Sequence, residues 1–473
     1  MIVQVTELAV YLLASLHIVL AVWSVYHILL YKRDTRAATG WIMASLFIPY
    51  GGPAAYYFFG INRVRTRARG FRQRFYSVRY EARRADPVAG DTTGRGLQSV
   101  GERITGRRLS SNNSVDALYN GEQAYPAMLE AINTARHRVL LATYILKTDQ
   151  TGDAFARALA AAADRGVDVK VLVDGVGELY SWPRPSKLLK RLGVPVGRFL
   201  PPRLLPPSIY VNLRNHRKLL IVDNDLAFAG GMNISDDHAA IAGHERTVTD
   251  VHFRFRGPVV DALAAVFGSD WLFATREEMD TTGEAPPVAE GSALCRVIPD
   301  GPDEQLDALA LTIQSVVSGA AQSVDVMTPY FLPSRELMAA LQSAALRGVR
   351  VRIVLPGKNN LFYMHWANRN LLAELLEWGI AAYYQPAPFC HAKLLCIDDN
   401  YSLVGSANLD PRSLRLNFEL GVEVFCEQLS TTLRTHIAEV IASSRPISSE
   451  ELAQRSLPVR LRDSFVSLFS PYL

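Results

Sequence analysis

Cysteine is scarce in this chain. Only Cys295, Cys390, Cys396 and Cys426 occur in 473 residues, and no two form a C-x-x-C pair. That spacing excludes an ordinary structural zinc site, and the four read as reduced, buried small residues of a cytosolic domain. A large charge of one sign is also missing. The net charge is only +4, so the whole-molecule balance gives no argument for a nucleic-acid partner. His238, His244 and His252 lack H-x-x-x-H or H-E-x-x-H spacing, which argues against a helical metal centre. From Leu8 to Tyr31 there is no Asp, Glu, Lys or Arg at all. A run of that length can span a bilayer, and it is too long for the core of a signal peptide. Trp23, Tyr26 and Tyr31 crowd its C-terminal half, as an interfacial belt would.

What is present begins with a second apolar stretch, Gly40 to Gly60, interrupted by Pro49, Gly51, Gly52 and Pro53. Such a segment can span or can dip in and return. Arg63, Arg65, Arg67, Arg69, Arg72 and Arg74 follow it, a flank that belongs on the cytoplasmic side next to anionic lipid. The connector Lys32, Arg33 and Arg36 is basic too, so two full spans would place it against that rule. The expected organisation is a membrane region over 1–75 (helices at about 8–31 and 40–60), then a basic, polar linker over 76–110. Two catalytic repeats follow, over 111–290 and 291–473.

The rest of the chain is organised around a pattern that occurs twice. His216-Arg-Lys-Leu-Leu-Ile-Val-Asp223 and His391-Ala-Lys-Leu-Leu-Cys-Ile-Asp398 both fit H-x-K-x-x-x-x-D. Each runs on to a small-residue turn ending in Asn: Gly230-Gly-Met-Asn233 and Gly405-Ser-Ala-Asn408. The short apolar run reads as a buried strand, which puts His and Lys on one face and the Asp on the other. An imidazole beside an ammonium suits attack on a phosphate ester. Lysine neutralises phosphoryl oxygens, and neutral histidine is a nucleophile or proton carrier.

Strands and helices alternate in both halves, which implies an α/β layer fold. The strands are expected at Ser114–Leu118, Val139–Ile145 and Val167–Val173, then at Ser323–Met327 and Val349–Leu355. Asn120-Gly121 reads as a turn, and helices are expected over Gln123–Arg136, Phe155–Ala163 and Arg335–Leu346. The halves are visibly repeated, Ala-Ala-Ala-Asp-Arg-Gly-Val-Asp-Val-Lys-Val over 161–171 against Ser-Ala-Ala-Leu-Arg-Gly-Val-Arg-Val-Arg-Ile over 343–353. Each half supplies one His-Lys pair, so a complete site requires both. Ser181 to Val211 reads as a long irregular, Pro-rich loop with an exposed-looking run at Leu204–Tyr210, a candidate for lipid entry. The tail, Leu457 to Leu473, reads as a short amphipathic helix that packs on the body or touches the membrane.

The two octets resemble the HKD motifs of the phospholipase D superfamily, and their flanks are similar to bacterial cardiolipin synthases. Leu213-Arg-Asn-His-Arg-Lys218, Gly230–Asn233, Gly405-Ser-Ala-Asn-Leu-Asp410, Arg412-Ser413 and Asn417-Phe-Glu419 carry that similarity. It implies two phospholipase D-like α/β/α repeats sharing one active site behind an N-terminal transmembrane helical region. It also implies a signature of His216, Lys218, Asp223, His391, Lys393 and Asp398, with His216 as nucleophile and His391 as general acid/base. Asn233 and Asn408 would bind the substrate phosphate beside the two lysines. Asp250 and Glu419 match the carboxylates that orient the imidazoles, and Asp223 and Asp398, facing away, read as fixing strand ends. Neither metal nor other cofactor is expected, four basic side chains standing in for the cation.

The activity implied is transfer of a phosphatidyl group between two phosphatidylglycerol molecules at the bacterial inner membrane, giving cardiolipin and glycerol. The alternatives are a hydrolytic phospholipase D and, further off, a nucleic-acid phosphodiesterase. Lys358-Asn359-Asn360 and Asp237-His238 depart from the family pattern, at positions expected near the head-group pocket.

Overall fold

The computed structural model describes residues 2–32, 35–60, 92–202, 213–241, 243–281, 291–301 and 307–470. The chain divides into two compact units, Met1–Phe71 and Arg72–Leu473.

In the first unit, helix α1 (Ile2–Tyr31) contains Val10–Tyr31, 22 residues of mean hydropathy 1.9. Among the described residues it is the one helix long and apolar enough to cross a membrane. The second apolar stretch is not the continuous helix expected over 40–60. Helix α2 (Thr35–Phe47) stops, the chain turns at Tyr50 with φ 58°, and a short helix α3 (Gly51–Ala55) restarts. A Cβ on Gly52 would lie 1.9 Å from the Ala44 carbonyl oxygen, so this turn closes only with glycine there. The tip of the turn reaches the middle of α1, where the Tyr50 hydroxyl donates to the Leu13 carbonyl. The chain then comes back. Tyr56 Oη meets His27 Nδ1 at 2.7 Å, and Lys32 Nζ donates to the Gly60 carbonyl at 3.0 Å. The second stretch therefore ends at the level of the last turn of α1.

Among the described residues, the second unit is built on one sheet of fifteen strands. The first repeat supplies β1 (Ser110–Tyr119), β2 (Arg138–Thr143), β3 (Asp168–Asp174), β4 (Val196–Phe199), β5 (Leu219–Val222), β6 (Leu226–Gly230) and β8 (Val251–Arg256). The second supplies β9 (Ala293–Asp300), β10 (Ser323–Met327), β11 (Arg350–Pro356), β12 (Ala381–Gln385), β14 (Leu394–Ile397), β15 (Tyr401–Gly405), β16 (Glu419–Phe425) and the edge strand β17 (Arg445–Pro446). Outward from the middle, the order is β1-β8-β6-β5-β2-β3-β4 on one side. On the other it is β9-β16-β15-β14-β10-β11-β12-β17. Apart from the extra edge strand β17 these match strand for strand, and the halves join where β1 pairs antiparallel with β9. Two further short strands, β7 (Val248–Thr249) and β13 (Phe389–Cys390), pair parallel across the two repeats.

The repeated Arg-Gly-Val has a local cause. Helices Gln150–Asp164 and Arg335–Leu346 both end on a left-handed glycine, Gly166 (φ 86°) and Gly348 (φ 87°). That conformation terminates a helix at little steric cost. The preceding arginines, Arg165 and Arg347, each donate to carbonyls at the end of the previous helix, Ile132 and Ser318. One core runs beneath both repeats, from Phe253, Phe255 and Phe267 to Val422, Val424 and Leu433, and two further cores cover the opposite face, one in each repeat. That continuity makes the two repeats one bilobal body.

Three expectations need correction. The supposed linker over 76–110 contains helix Thr92–Thr105, whose Leu97 and Ile104 pack on the second-repeat core. Its few apolar residues sit a heptad apart in a polar sequence, so they escaped a composition argument. The Pro-rich segment Ser181–Val211 holds helix Pro185–Arg191 and strand β4, because a proline at the first helical position starts a helix rather than breaking it. Its Leu204–Tyr210 run lies outside the described residues. Asn120-Gly121 is not a free turn: Asn120, at φ 59°, opens helix Asn120–Thr134.

Candidate active site

The two motif histidines and lysines were expected on strands. They lie instead in the extended lead-in just before β5 and β14, and each lead-in is stitched to the other repeat. The His216 amide donates to the Phe418 carbonyl at 2.9 Å, and the His391 amide to the Thr249 carbonyl at 2.7 Å. The next residue on each partner segment is a carboxylate, Glu419 or Asp250. The carboxylates are therefore exchanged between lobes. His216 Nδ1 lies 3.1 Å from Glu419, and His391 Nδ1 lies 2.9 Å from Asp250. Glu419 and Asp250 are both fully or nearly fully buried. Ser406 also donates to Glu419 at 2.5 Å, and its carbonyl lies 3.2 Å from His216 Nδ1. With two acceptors facing Nδ1, the proton of neutral His216 sits there and Nε2 keeps its lone pair.

The four basic groups converge. Burial pushes the His391 imidazole well below its ordinary value, and the charges of Lys393, Lys218 and His216 push it further. Burial likewise lowers His216, opposed by Glu419. Lys218 is brought down to about 7, chiefly by burial and then by Lys393, with Glu419 opposing. Lys393 falls to about 8, again by burial, with Asp250 and Glu419 opposing. The carboxylates differ. Burial would raise Glu419, but His216 and Lys218 outweigh it and hold it below the usual range. Burial wins at Asp250, which is raised despite Lys393. A centre with two buried lysines beside two histidines suits an anionic substrate group.

The small residues of the downstream motif have a steric reason. A Cβ on Gly231 would come within 3.0 Å of Asp250 Oδ1 and 3.1 Å of Lys393 Nζ. A Cβ on Gly405 would lie 2.0 Å from the Leu420 carbonyl oxygen. Among the described residues, the buried side-chain oxygens of Asn233 and Asn408 have no hydrogen-bond partner, while Asn408 Nδ2 reaches Ser413 Oγ at 3.2 Å.

Asp223 and Asp398 stand away from this cluster. Asp223 accepts from the amides of Arg136, His137 and Arg138 at 2.8–2.9 Å, and Asp398 accepts from those of Ala321, Gln322 and Ser323. Each pins a hairpin to the start of the neighbouring strand, at the far end of its motif.

Sequence reasoning missed several neighbours. Tyr144 packs on His216, ring centres 5.0 Å apart, and lies 5.4 Å beneath Lys218 Nζ. Arg217, fully buried, pairs with Asp270 at 2.6 Å and donates to the carbonyls of Glu419 and Asp300 across the lobe boundary. Burial raises Asp174 to about 6, and this residue receives the Asn215 amide at 2.8 Å. None of these contacts leaves a local periodicity. His238, one of the departures from the family pattern, is buried with its ring 6.2 Å from that of His391. Asn360, the other, accepts from the Tyr330 hydroxyl at 2.8 Å.

The chain is similar to known proteins along most of its length. The family model described as cardiolipin synthase, PLD-like domain, matches residues 128–271 and 313–441. A second, described as phospholipase D-nuclease N-terminal, matches 19–60. A probable cardiolipin synthase of Bacillus subtilis is 28% identical over 466 residues, covering 97% of this chain and 93% of its own length. The major cardiolipin synthase of the same organism is 29% identical, covering 93% and 95%. A cardiolipin synthase of Geobacillus kaustophilus is 31% identical, covering 80% and 76%. Among solved structures, a phosphatidylserine synthase of Haemophilus influenzae superposes with a TM-score of 0.62, at 16% identity, over 81% of this chain and all of the other.

Proposed function

The chain belongs to the phospholipase D-like cardiolipin synthase family, and from that premise we propose how its paired lobes carry out phosphatidyl transfer. The protein is a cardiolipin synthase, a phosphatidyltransferase of the phospholipase D type. The donor is one phosphatidylglycerol and the acceptor is the free hydroxyl of a second. The phosphodiester enters between the histidines, its oxygens facing Lys218, Lys393, Asn233 and Asn408. His216 Nε2 attacks phosphorus while His391 gives a proton to the departing glycerol oxygen. The phosphatidyl-His216 intermediate carries positive charge on its ring, which the ionised Glu419 stabilises. His391 then removes the proton from the incoming hydroxyl, whose oxygen displaces His216 and forms cardiolipin. Asp250, held closer to protonation than Glu419, suits a partner that must pass a proton back and forth. Asp223 and Asp398 hold the frame.

The observation that carries this reading is the exchange of carboxylates across the lobe boundary. It supports one phosphate between two oriented imidazoles. Association with a membrane follows from the family and from α1. Beyond that, the return of the second apolar stretch to the level of Lys32 supports a re-entrant hairpin. The connector and the arginine-rich segment would then share one face, the cytoplasmic one, with the catalytic unit. The inner membrane of a bacterial cell is the setting. Nucleic acid is not a partner, the membrane anchor and modest net charge both speaking against it.

The test is product analysis of the purified full chain given headgroup-labelled phosphatidylglycerol. Cardiolipin with released glycerol is the expected result; phosphatidic acid as the main product would establish hydrolysis instead. With the label placed in the phosphate instead, acid-labile label should be trapped on wild-type protein and absent from His216→Ala.

A further inference from the structure

Two files of aromatic rings lead out of the site to the surface. From His216 one passes to Tyr144 (5.0 Å between ring centres) and then to Tyr180 (6.2 Å). Tyr180 stands beside Trp182, which is 83% exposed. From His391 the other passes to Phe389 (6.1 Å) and then to Tyr330 (6.4 Å), which bonds Asn360, two residues from exposed Phe362. Both files start from the paired histidines, each of which is held by a carboxylate of the other repeat, so we take them to open at one mouth. Both rims follow equivalent strands, β3 and β11, at the ends that face the histidines.

The tail helix, Leu457–Ser467, extends the second rim. Its inner side is fixed. Val466 packs on the small cluster of Leu332, Met364 and Ala367, on which Tyr330, Leu361 and Tyr363 also pack, and buried Asp463 pairs with Arg369, Arg455 and Arg462. Its outer side carries Leu457, Leu461, Phe465 and Leu468, each more than 60% exposed. Isolated exposed apolar residues are ordinary on a protein surface; a helix that turns a whole stripe outward while burying its acid is not.

We propose that this mouth, with Trp182, Phe362 and the outer stripe of the tail helix as its apolar rim, seats on the surface of an anionic lipid bilayer. The inference rests on the reading that the substrates are bilayer phospholipids. Charge supports it. Between Gly175 and Pro202 the only acid is Glu178, buried under Arg198, against Arg184, Lys187, Lys190 and Arg191. Gly357 to Ala373 contains no acid and carries exposed Lys358, and the tail adds exposed Arg460. At the opposite end of the sheet the hairpin tips hold Asp223, Asp225, Asp398 and Asp399. An apolar rim with a basic collar at one end and acids at the other is the polarity an interfacial protein needs.

Single cysteines placed at Trp182, Leu461 and, as control, Asn400 on a far hairpin tip would carry an environment-sensitive fluorophore. The full chain would be reconstituted in vesicles of phosphatidylglycerol and phosphatidylethanolamine, some spin-labelled on the acyl chain. Probes at 182 and 461 should shift to the blue and be quenched, and the probe at 400 should not. Equal responses at all three positions overturn the proposal. The combined variant W182S/L461S/F465S supplies a second measure. It should lose roughly tenfold in turnover on vesicles and keep its turnover on dispersed short-chain phosphatidylglycerol. Equal loss on both substrates also overturns it. Quenching does not depend on turnover, so a failure to form cardiolipin at all would strike the functional reading and leave this result standing.

Discussion

The two lobes place the same motif in unlike settings, and the residue between His and Lys shows it best. In the first lobe that residue is Arg217, buried, paired with Asp270 and tied to two carbonyls of the other lobe. In the second it is Ala392, which borders a cavity of about 720 Å³ lined also by Thr249, Asp250 and His436. The residue after one histidine is clamped, and the residue after the other faces space. The carboxylates differ in the same sense, Glu419 held ionised and Asp250 raised toward protonation. A nucleophile needs a fixed line of attack, whereas a proton carrier must serve first a leaving and then an entering alcohol. The difference teaches that near-symmetry of sequence does not make the two histidines interchangeable.

That comparison breaks most directly at the histidines. His216→Ala should cut turnover by roughly 10⁴-fold or more and abolish the covalent adduct. His391→Ala should lose a similar amount on phosphatidylglycerol. With a donor whose leaving group needs no proton, His391→Ala should still form the adduct, as mass spectrometry of the intact protein would show. An adduct that persists in His216→Ala and vanishes in His391→Ala reverses the assignment.

Arg217→Ala breaks the buried pair with Asp270 and should lower stability by about 3–5 kcal/mol, read by thermal denaturation. Because Arg217 also holds the backbone of Glu419, Arg217→Met should recover part of the stability and little of the turnover.

The lysines sharpen the contrast further. A lysine held below its ordinary value loses charge as pH rises through the lower value. Turnover per substrate bound to the free enzyme should therefore decline on the alkaline side from about pH 7, where Lys218 titrates. Lys218→Arg should move that limb toward about 8, the value of Lys393, while Lys393→Arg should leave it in place. A pH profile of kcat/KM separates the two outcomes.

The smallest effects should fall where the lobes agree. Asp223→Ala and Asp398→Ala each remove an acceptor of backbone amides and should destabilise by about 1–3 kcal/mol. Their pH profiles should stay those of the wild type, since neither carboxylate meets the cluster.

Much of this was legible beforehand, for definite reasons. The apolar runs after Lys218 and Lys393 are short and rich in branched residues, so strands β5 and β14 announced themselves. The Arg-Gly-Val repeat revealed the twofold plan because helix termination needs glycine there. Asp250 and Glu419 could be named, but not the fact that each serves the histidine of the other lobe. That exchange depends on pairing His216 with Phe418 and His391 with Thr249, contacts between distant segments that leave no periodic trace. Helix Thr92–Thr105 and the helix at Pro185 were hidden by polar and proline-rich composition, and Tyr144 looked like any strand-end tyrosine.

The antiparallel junction of β1 with β9 carries one more implication. Two identical polypeptides associating through that edge would be compelled to keep both halves the same. A single gene encoding both is free of that restraint, and arginine on one side with alanine on the other shows the freedom exercised. On the proposed assignment, the division between nucleophile and proton carrier would be a consequence of covalent linkage.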